Sequence, residues 1–353
     1  MIDLDDSTMY AALDRSDMLS RVREMDRQAE DAWAIARELS APAEYRRARQ
    51  IVILGMGGSA IGGDLARTLL AGTAPVPILV AREYDLPAFV GPDTLVIASS
   101  YSGNTEETIS ATEQALAVGA RVMVVTTGGH LANLAEERGS PLVRYRYDAQ
   151  PRAALGYSLF LLLGVLSALG YVDGATLGVE DALAAIRARA AACDPDRPTS
   201  ENLAKELAAT IHGNAAIVYG GGILAEVARR WKGQFNENAK HWAFFEQFPE
   251  LNHNAVIGYE HPAAVGRQLV VLILSSDRNH PRILRREAVT ASILERAGIE
   301  TRTLRAEGSG PLAHICSLAV LADFTTYYLA LLNGTDPTTI ANIDYLKAEL
   351  AKA

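Results

Sequence analysis

Cysteine is nearly absent from this chain: Cys193 and Cys316 are the only two in 353 residues, and no C-x-x-C pair occurs. That excludes a disulfide framework and points to a reducing compartment. The seven histidines are scattered, with no H-x-H or H-E-x-x-H, so no metal is expected. No G-x-x-x-x-G-K-[ST] loop is present, which disfavours a nucleotide triphosphatase, and no G-x-S-x-G elbow marks a serine hydrolase. Positive charge is in deficit: 33 Lys and Arg against 42 Asp and Glu give a net charge of −9. Neither nucleic acid nor an anionic membrane is expected as a partner. An anionic metabolite is not excluded, because local donors decide that. The start, Met1-Ile2-Asp3-Leu4-Asp5-Asp6, is acidic and lacks the basic n-region of a secretory signal, so a cytoplasmic location is expected. Charge is missing altogether from 153 to 172, a stretch about as long as a membrane span. It carries Gly156, Gly164, Gly170, Tyr157, Ser158 and Ser167 and lies inside an alternating pattern, so a buried or interface helix is expected instead.

What is present is a globular composition, nearly half hydrophobic, at a length that allows two domains. Residues 14–39 read as one amphipathic helix with Leu19, Val22, Met25, Trp33 and Ile35 apolar. Short apolar runs at 50–55, 76–81, 94–99, 121–126 and 141–145 alternate with helical stretches. This is the signature of a parallel sheet covered on both faces. Asp194-Pro195-Asp196-Arg197-Pro198-Thr199 reads as a linker. The pattern then restarts. Ala215–Gly222 echoes Ile51–Gly58, Gln268–Ser276 echoes Leu95–Ser100, and Ala297–Thr301 echoes Val118–Val122. The expected fold class is therefore α/β, with two tandem doubly wound domains. The expected boundaries are an N-terminal helical segment at 1–45, a first domain at 46–193 and a second domain with a C-terminal helix at 200–353.

Two loops carry chemistry. Gly55-Met56-Gly57-Gly58-Ser59-Ala60 follows the first strand. Gly55, Gly57 and Ala60 fit the dinucleotide pattern G-x-G-x-x-A, with Glu83 as a late ribose acid. The same glycines would equally let backbone and Ser59 approach a sugar phosphate, or simply form a tight turn. The second loop, Ser99-Ser100-Tyr101-Ser102-Gly103-Asn104-Thr105-Glu106-Glu107-Thr108, tips the balance. It lies between a strand and a helix start, where backbone N–H groups and the helix dipole favour an anion. Helix capping accounts for Asn104 or Thr105 and the acids, but not for Ser99, Ser100 and Ser102 as well. Without Lys or Arg, the loop suits a small phosphomonoester held by hydrogen bonds. Its counterpart in the second half carries Asp277, which would repel phosphate.

Further on, Glu237 lies between Asn236 and Asn238, and His253 between Asn252 and Asn254. A carboxylate and an imidazole are the usual pair for moving protons near neutral pH; two surface residues would look the same.

Together these segments resemble the bifunctional phosphoglucose/phosphomannose isomerases, a branch of the phosphoglucose isomerase superfamily with two sugar isomerase (SIS) domains of flavodoxin-like architecture. The likeness rests on Gly55–Ala60, Ser100–Thr108, Pro151-Arg152-Ala153-Ala154, Asn236–Lys240, Asn252-His253-Asn254 and Asp336-Pro337-Thr338 through Leu346-Lys347. The resemblance implies that Gly58, Ser59, Ser100, Ser102 and Thr105 bind substrate, mainly its phosphate. Arg152 would stabilise an enediolate, Glu237 would shuttle a proton between C2 and C1, and His253 with Lys347 would open the sugar ring. It further implies a small phosphosugar as substrate, no cofactor, a homodimer in which His253 serves the partner's site, and a place in glycolysis and gluconeogenesis. A sensor-like SIS module without catalysis, or a nicotinamide-dependent oxidoreductase, are the alternatives.

Overall fold

The structure is a computed structural model and describes residues 2–350 and Lys352. Helices α1 (Met18–Arg23) and α2 (Met25–Arg37) precede β1 (Gln50–Leu54), α3 (Gly57–Leu70), β2 (Ile78–Ala81) and β3 (Thr94–Ser99). Then come α4 (Glu106–Ala117), β4 (Arg121–Thr126), α5 (Gly129–Arg138), β5 (Leu142–Arg144), α6 (Leu155–Ala168) and α7 (Val179–Cys193). The chain continues through α8 (Leu203–Ile211), β6 (Ala215–Gly221), α9 (Ala225–Glu237), β7 (Ala243–Phe248), α10 (Ala263–Gly266) and β8 (Leu269–Ser275). It ends with α11 (Pro281–Arg296), β9 (Glu300–Arg305), α12 (Pro311–Leu332) and α13 (Ala341–Leu350). Glu24–Ala184 with Gly308–Ala313 form one compact unit, and the remaining described residues form another.

In the first unit five parallel strands run in the order β2-β1-β3-β4-β5. All six residues of β3 are buried, with no in–out alternation, because helices cover both faces. Val52, Val96 and Val122 pack with Ala111 and Ala115 of α4, and Ala98 and Val124 with Leu131 and Leu134 of α5. On the opposite face α3 lies so close that a Cβ on Gly63 would meet Ile53 Cγ2 at 3.0 Å.

The charge-free stretch is α6, buried at every residue from Leu155 to Leu166. Its neighbours are α2 and α3 of its own unit, which removes it as a sign of a subunit contact. Added Cβ atoms at Gly156 and Gly164 would stand 2.5 Å from Gln28 Cβ and 2.3 Å from Ala36 Cβ. So close an approach admits only small residues on α6, and the buried residues of α2 are Met25, Gln28, Ala29, Ala32 and Ala36, with Trp33 and Ile35 half-buried. The single helix expected over 14–39 is broken at Glu24. Its first half belongs elsewhere: Asp14 accepts from Met18 N at 2.7 Å and from the Tyr327 hydroxyl at 3.0 Å, tying α1 to α12.

The second unit repeats the order as β7-β6-β8-β9, again all parallel. Tyr219, Phe248, Val271 and Ile273 close its core against Leu294 of α11. Residues 194–199, expected as a linker, are pinned. The fully buried Lys205 ammonium donates to Pro195 O at 2.9 Å and Arg197 O at 2.8 Å and pairs with Asp5 at 3.2 Å. Arg23 holds Asp194 through two bonds of 2.8 and 2.9 Å. Helix α12 is long and apolar enough to cross a membrane, but 94% of its most apolar stretch is buried in the fold. Cys193 and Cys316 are free and buried, and burial pushes both thiols up to about 12.

Helix α9 is fixed by a buried ion pair. Arg230 donates to both Asp323 oxygens at 2.8 and 2.9 Å, and Gln234 adds a third bond to that carboxylate. Removing one partner of such a pair strands the other in the interior. Asp323→Ala is therefore expected to lower the unfolding free energy by about 3–5 kcal/mol, read from urea denaturation. Exchanging both partners for apolar residues should recover most of that loss.

Candidate active site

In the first sheet the chain passes from β1 outward to β2 and returns to place β3 on the other side of β1. The crevice at the carboxyl ends of β1 and β3 is thus a topological switch point, where open parallel sheets bind ligands. Both loops singled out in the sequence open there. The β1–α3 turn supplies Gly58 and Ser59, and the β3–α4 loop supplies Ser100, Ser102 and Thr105.

The two loops are joined by the Ser59 hydroxyl, which accepts from Tyr101 N at 3.0 Å. Ser100 Oγ lies 3.0 Å from Thr105 Oγ1 and accepts from Gly103 N at 3.2 Å; Ser102 Oγ accepts from Asn104 N at 3.2 Å. Gly103 has φ +67°, and a Cβ there would stand 1.9 Å from Gly128 O. Only glycine fits. Ser100 is 2% exposed while Ser102 faces solvent and Thr105 is half-buried. Hydroxyls thus run from the floor of the crevice to its mouth, ending at the N-terminus of α4.

Arg152 lies on a third segment, the turn Pro151–Ala153, and is 3% exposed. A Cβ on Gly58 would meet Pro151 O at 2.5 Å, so the missing side chain is what lets this turn abut the β1–α3 turn. The turn is held by residues the sequence reading missed. Gln28 donates to Ala153 O at 2.9 Å and to the Tyr147 hydroxyl at 2.7 Å, and accepts from Gly156 N at 3.2 Å. The Tyr101 hydroxyl bonds Tyr147 O at 2.5 Å and Ala149 N at 3.1 Å. Five of the expected residues, Gly58, Ser59, Ser100, Ser102 and Thr105, therefore meet at one crevice, and the turn that carries Arg152 abuts it at Gly58. Glu83, the acid of the dinucleotide reading, is exposed beyond the end of β2.

The other three belong to the second unit and do not converge within it. Glu237 is the last residue of α9 and lines a cavity of about 400 Å³ with Lys240, Thr335 and Ala341. The flanking asparagines are structural. Asn236 donates to His241 O at 2.8 Å and Asn238 to Thr326 Oγ1 at 3.1 Å, fixing the backbone on either side of the carboxylate. His253 ends the turn Glu250–His253 and is exposed. Because α9 runs back along the sheet, Glu237 lies at the edge where β7 begins and His253 at the edge where it ends. The six residues of β7 separate them by about 20 Å. Lys347 is exposed on α13, whose first residues line the Glu237 cavity while Lys347 itself does not.

The equivalent crevice of the second sheet differs from the first. Ser276 Oγ lies 2.7 Å from His314 Nδ1, and Asn279 Oδ1 accepts from Ile223 N at 3.1 Å, bridging the two loops where Ser59 bridges them in the first sheet. Among the described residues no group of three or more His, Cys, Asp or Glu gathers as a metal site.

Residues 200–350 match the family "bacterial phospho-glucose isomerase C-terminal SIS domain", and residues 44–139 match the SIS domain. A bifunctional phosphoglucose/phosphomannose isomerase of Caldicellulosiruptor bescii is 37% identical over 95% of this chain and 99% of its own length. One from Aquifex aeolicus is 38% identical over 86% of this chain and 90% of its own. The chain belongs to the bifunctional phosphoglucose/phosphomannose isomerase family. That membership favours the phosphosugar reading of the Gly55–Ala60 turn over the dinucleotide one. A D-glucosamine-6-phosphate 4-epimerase of Sulfolobus acidocaldarius is also related to this family member, 32% identical over 69% of the chain and 74% of its own length. Among solved structures, a hypothetical protein of Thermus thermophilus shares the fold at a TM-score of 0.77, 17% identity and coverage of 99% and 93% of the two chains.

The left-handed Gly103 supplies a direct check on the loop. Gly103→Ala combines a left-handed backbone with a clash, so it should destabilise the protein by at least about 1–3 kcal/mol, measured by chemical denaturation.

Proposed function

We propose that this isomerase-family chain interconverts fructose 6-phosphate with glucose 6-phosphate and mannose 6-phosphate through an enediolate. The observation that supports this best is the hydroxyl-lined crevice at the first sheet's switch point, with buried Arg152 set against it. In this reading Gly58, Ser59, Ser100, Ser102 and Thr105 hold the phosphate through uncharged donors and the α4 N-terminus. Arg152 stabilises the enediolate oxygens. Glu237 removes the proton from carbon beside the carbonyl and returns it to the neighbouring carbon. His253 transfers the proton that opens the ring, and Lys347 assists from α13, the helix that walls the Glu237 cavity. Once C2 is planar a proton returns to either face, which accounts for two epimers in one site. These groups cover ring opening, proton transfer and charge stabilisation, so the chemistry requires neither metal nor nicotinamide.

The reading includes a homodimer. Within their shared unit Glu237 and His253 stand at opposite edges of the sheet, so one unit cannot turn both on one substrate. A second copy can supply the imidazole. The expected location is cytoplasmic, with the reaction serving glycolysis and gluconeogenesis. A second reading, a different phosphosugar, is favoured by one observation: the 4-epimerase relative at 32% identity.

Glu237→Gln should lower kcat by about 10²–10⁴ while calorimetry still detects fructose 6-phosphate binding; full activity would overturn the assignment. His253→Ala alone should be equally inactive. Refolded as a mixture with Glu237→Gln, it should regain about a quarter of wild-type activity, since half the dimers are mixed and each mixed dimer has one intact site. No recovery would remove the shared site. Separately, Ser102→Ala with Thr105→Ala should raise the KM for fructose 6-phosphate at least about tenfold, because each hydroxyl bond to a charged group contributes about 1.5–3 kcal/mol. An unchanged KM would move the phosphate elsewhere.

A further inference from the structure

Helix α11 opens with a charge arrangement that works against it. Its first turn holds no acid, and Arg282, Arg285 and Arg286 all fall within its first six residues. Cations are disfavoured at a helix N-terminus, and like charges three and four residues apart repel. Arg282 stands in that relation to both Arg285 and Arg286. Among the described residues none relieves the repulsion: the Arg282 and Arg285 guanidiniums make no hydrogen bond or ion pair, and Arg286 donates to the neutral Asn252 Oδ1 at 3.2 Å. Glu287, next in sequence, is 3% exposed and turned to Ser275 and Asn279. This is uncompensated positive charge in a chain of net charge −9.

The three arginines line a cavity of about 310 Å³ with Asn252 and Thr290 and the apolar Val256, Val289 and Ile293. Its polar floor is already fixed, because Asn252 Nδ2 donates to Thr290 Oγ1 at 2.8 Å while its oxygen accepts from Arg286. Guanidinium forks match phosphate oxygens in pairs, and the volume is that of a small-ligand site. An anion seated there would satisfy the arginines. We propose that the cavity between α11 and the turn Glu250–His253 is a second anion site, separate from the crevice at β1 and β3, that takes a phosphate group. The group belongs either to a phosphosugar or to free phosphate. Its occupant would sit one residue from His253, yet the site stands on its own geometry whether or not His253 opens a sugar ring.

The test uses full-length protein and three variants: Ser102→Ala/Thr105→Ala, Arg282→Gln/Arg285→Gln, and all four changes together. Both arginines are exposed and bond no neighbour, so their replacement leaves the fold intact. Calorimetry with inorganic phosphate, and separately with glucose 6-phosphate, should show the Ser102→Ala/Thr105→Ala variant still binding one equivalent. That binding should weaken with added salt and at least tenfold further in the fourfold variant. Tighter binding of glucose 6-phosphate identifies the phosphosugar; equal binding identifies the free ion. Without ligand, Arg282→Gln/Arg285→Gln should melt higher than wild type, and in the Ser102→Ala/Thr105→Ala background it should abolish the rise in melting temperature that phosphate causes. Unchanged phosphate binding in the fourfold variant overturns the proposal. So does a fall in sedimentation mass on replacing the arginines, which would assign them to a contact between copies. If the first crevice holds no phosphate, wild type and Ser102→Ala/Thr105→Ala bind alike while the arginine variant still loses binding, so the two readings fail separately.

Discussion

A parallel sheet has a direction, and that direction governs where everything else in this molecule can stand. Every strand ends on the same edge, so every strand-to-helix loop gathers there, and every helix must run back to the opposite edge before the next strand begins. The Ser59 turn and the Ser100–Thr105 loop are far apart in sequence yet open side by side because β1 and β3 are neighbours with the same polarity. The same rule keeps Glu237 and His253 apart. One ends a returning helix and the other follows a strand, so the length of β7 lies between them whatever their side chains do.

Polarity places the loops, but buried polar contacts fix them. In the first unit the loops are cross-braced by single bonds of ordinary length: the Ser59 hydroxyl to Tyr101 N, the Tyr101 hydroxyl to the 147–149 segment, and Gln28 to Ala153 O. Each satisfies a buried group that would otherwise be costly to desolvate. In the second unit the Arg230–Asp323 pair fixes α9, and the two asparagines fix the turn that follows it. The carboxylate between them lies half-buried at a cavity wall.

The alternation of strands and helices, the two glycine turns, the hydroxyl loop and the internal echo were all legible from the sequence, because each is written in a few consecutive residues. The helix start was not. Of the expected apolar stripe Val22 and Met25 are buried, whereas Leu19, Trp33 and Ile35 are only half-buried and the rest of the packed face of α2 is Gln28 and alanine. What selects it is the pair Gly156 and Gly164 on α6, well over a hundred residues away. Gln28 shows the same limit: nothing local distinguishes a buried glutamine that braces an arginine-bearing turn from a solvated one. Five of the expected site residues converge because they follow the ends of β1 and β3, where topology decides; Arg152 is brought to them by a turn that Gln28 holds. Lys347 sits on a helix whose described residues are exposed along its whole length, so no packing constraint was available to be read.

The internal echo also shows how one architecture supports unequal sites. Both sheets place a glycine turn and a serine-bearing loop at the switch point, yet the bridging element differs. In the first, a serine hydroxyl accepts a backbone N–H from the facing loop, and the loop's hydroxyls extend to the crevice mouth. In the second, Asn279 reaches back to Ile223 N, Ser276 is taken up by His314, and Asp277 faces solvent. A phosphate needs converging donors, whereas this second crevice has its donors bonded to one another and a carboxylate at its mouth. Identical strand order therefore supplies the same crevice twice, and the side chains at the strand ends line the two differently. The sheet specifies where a ligand can bind, and the loop chemistry determines whether it does.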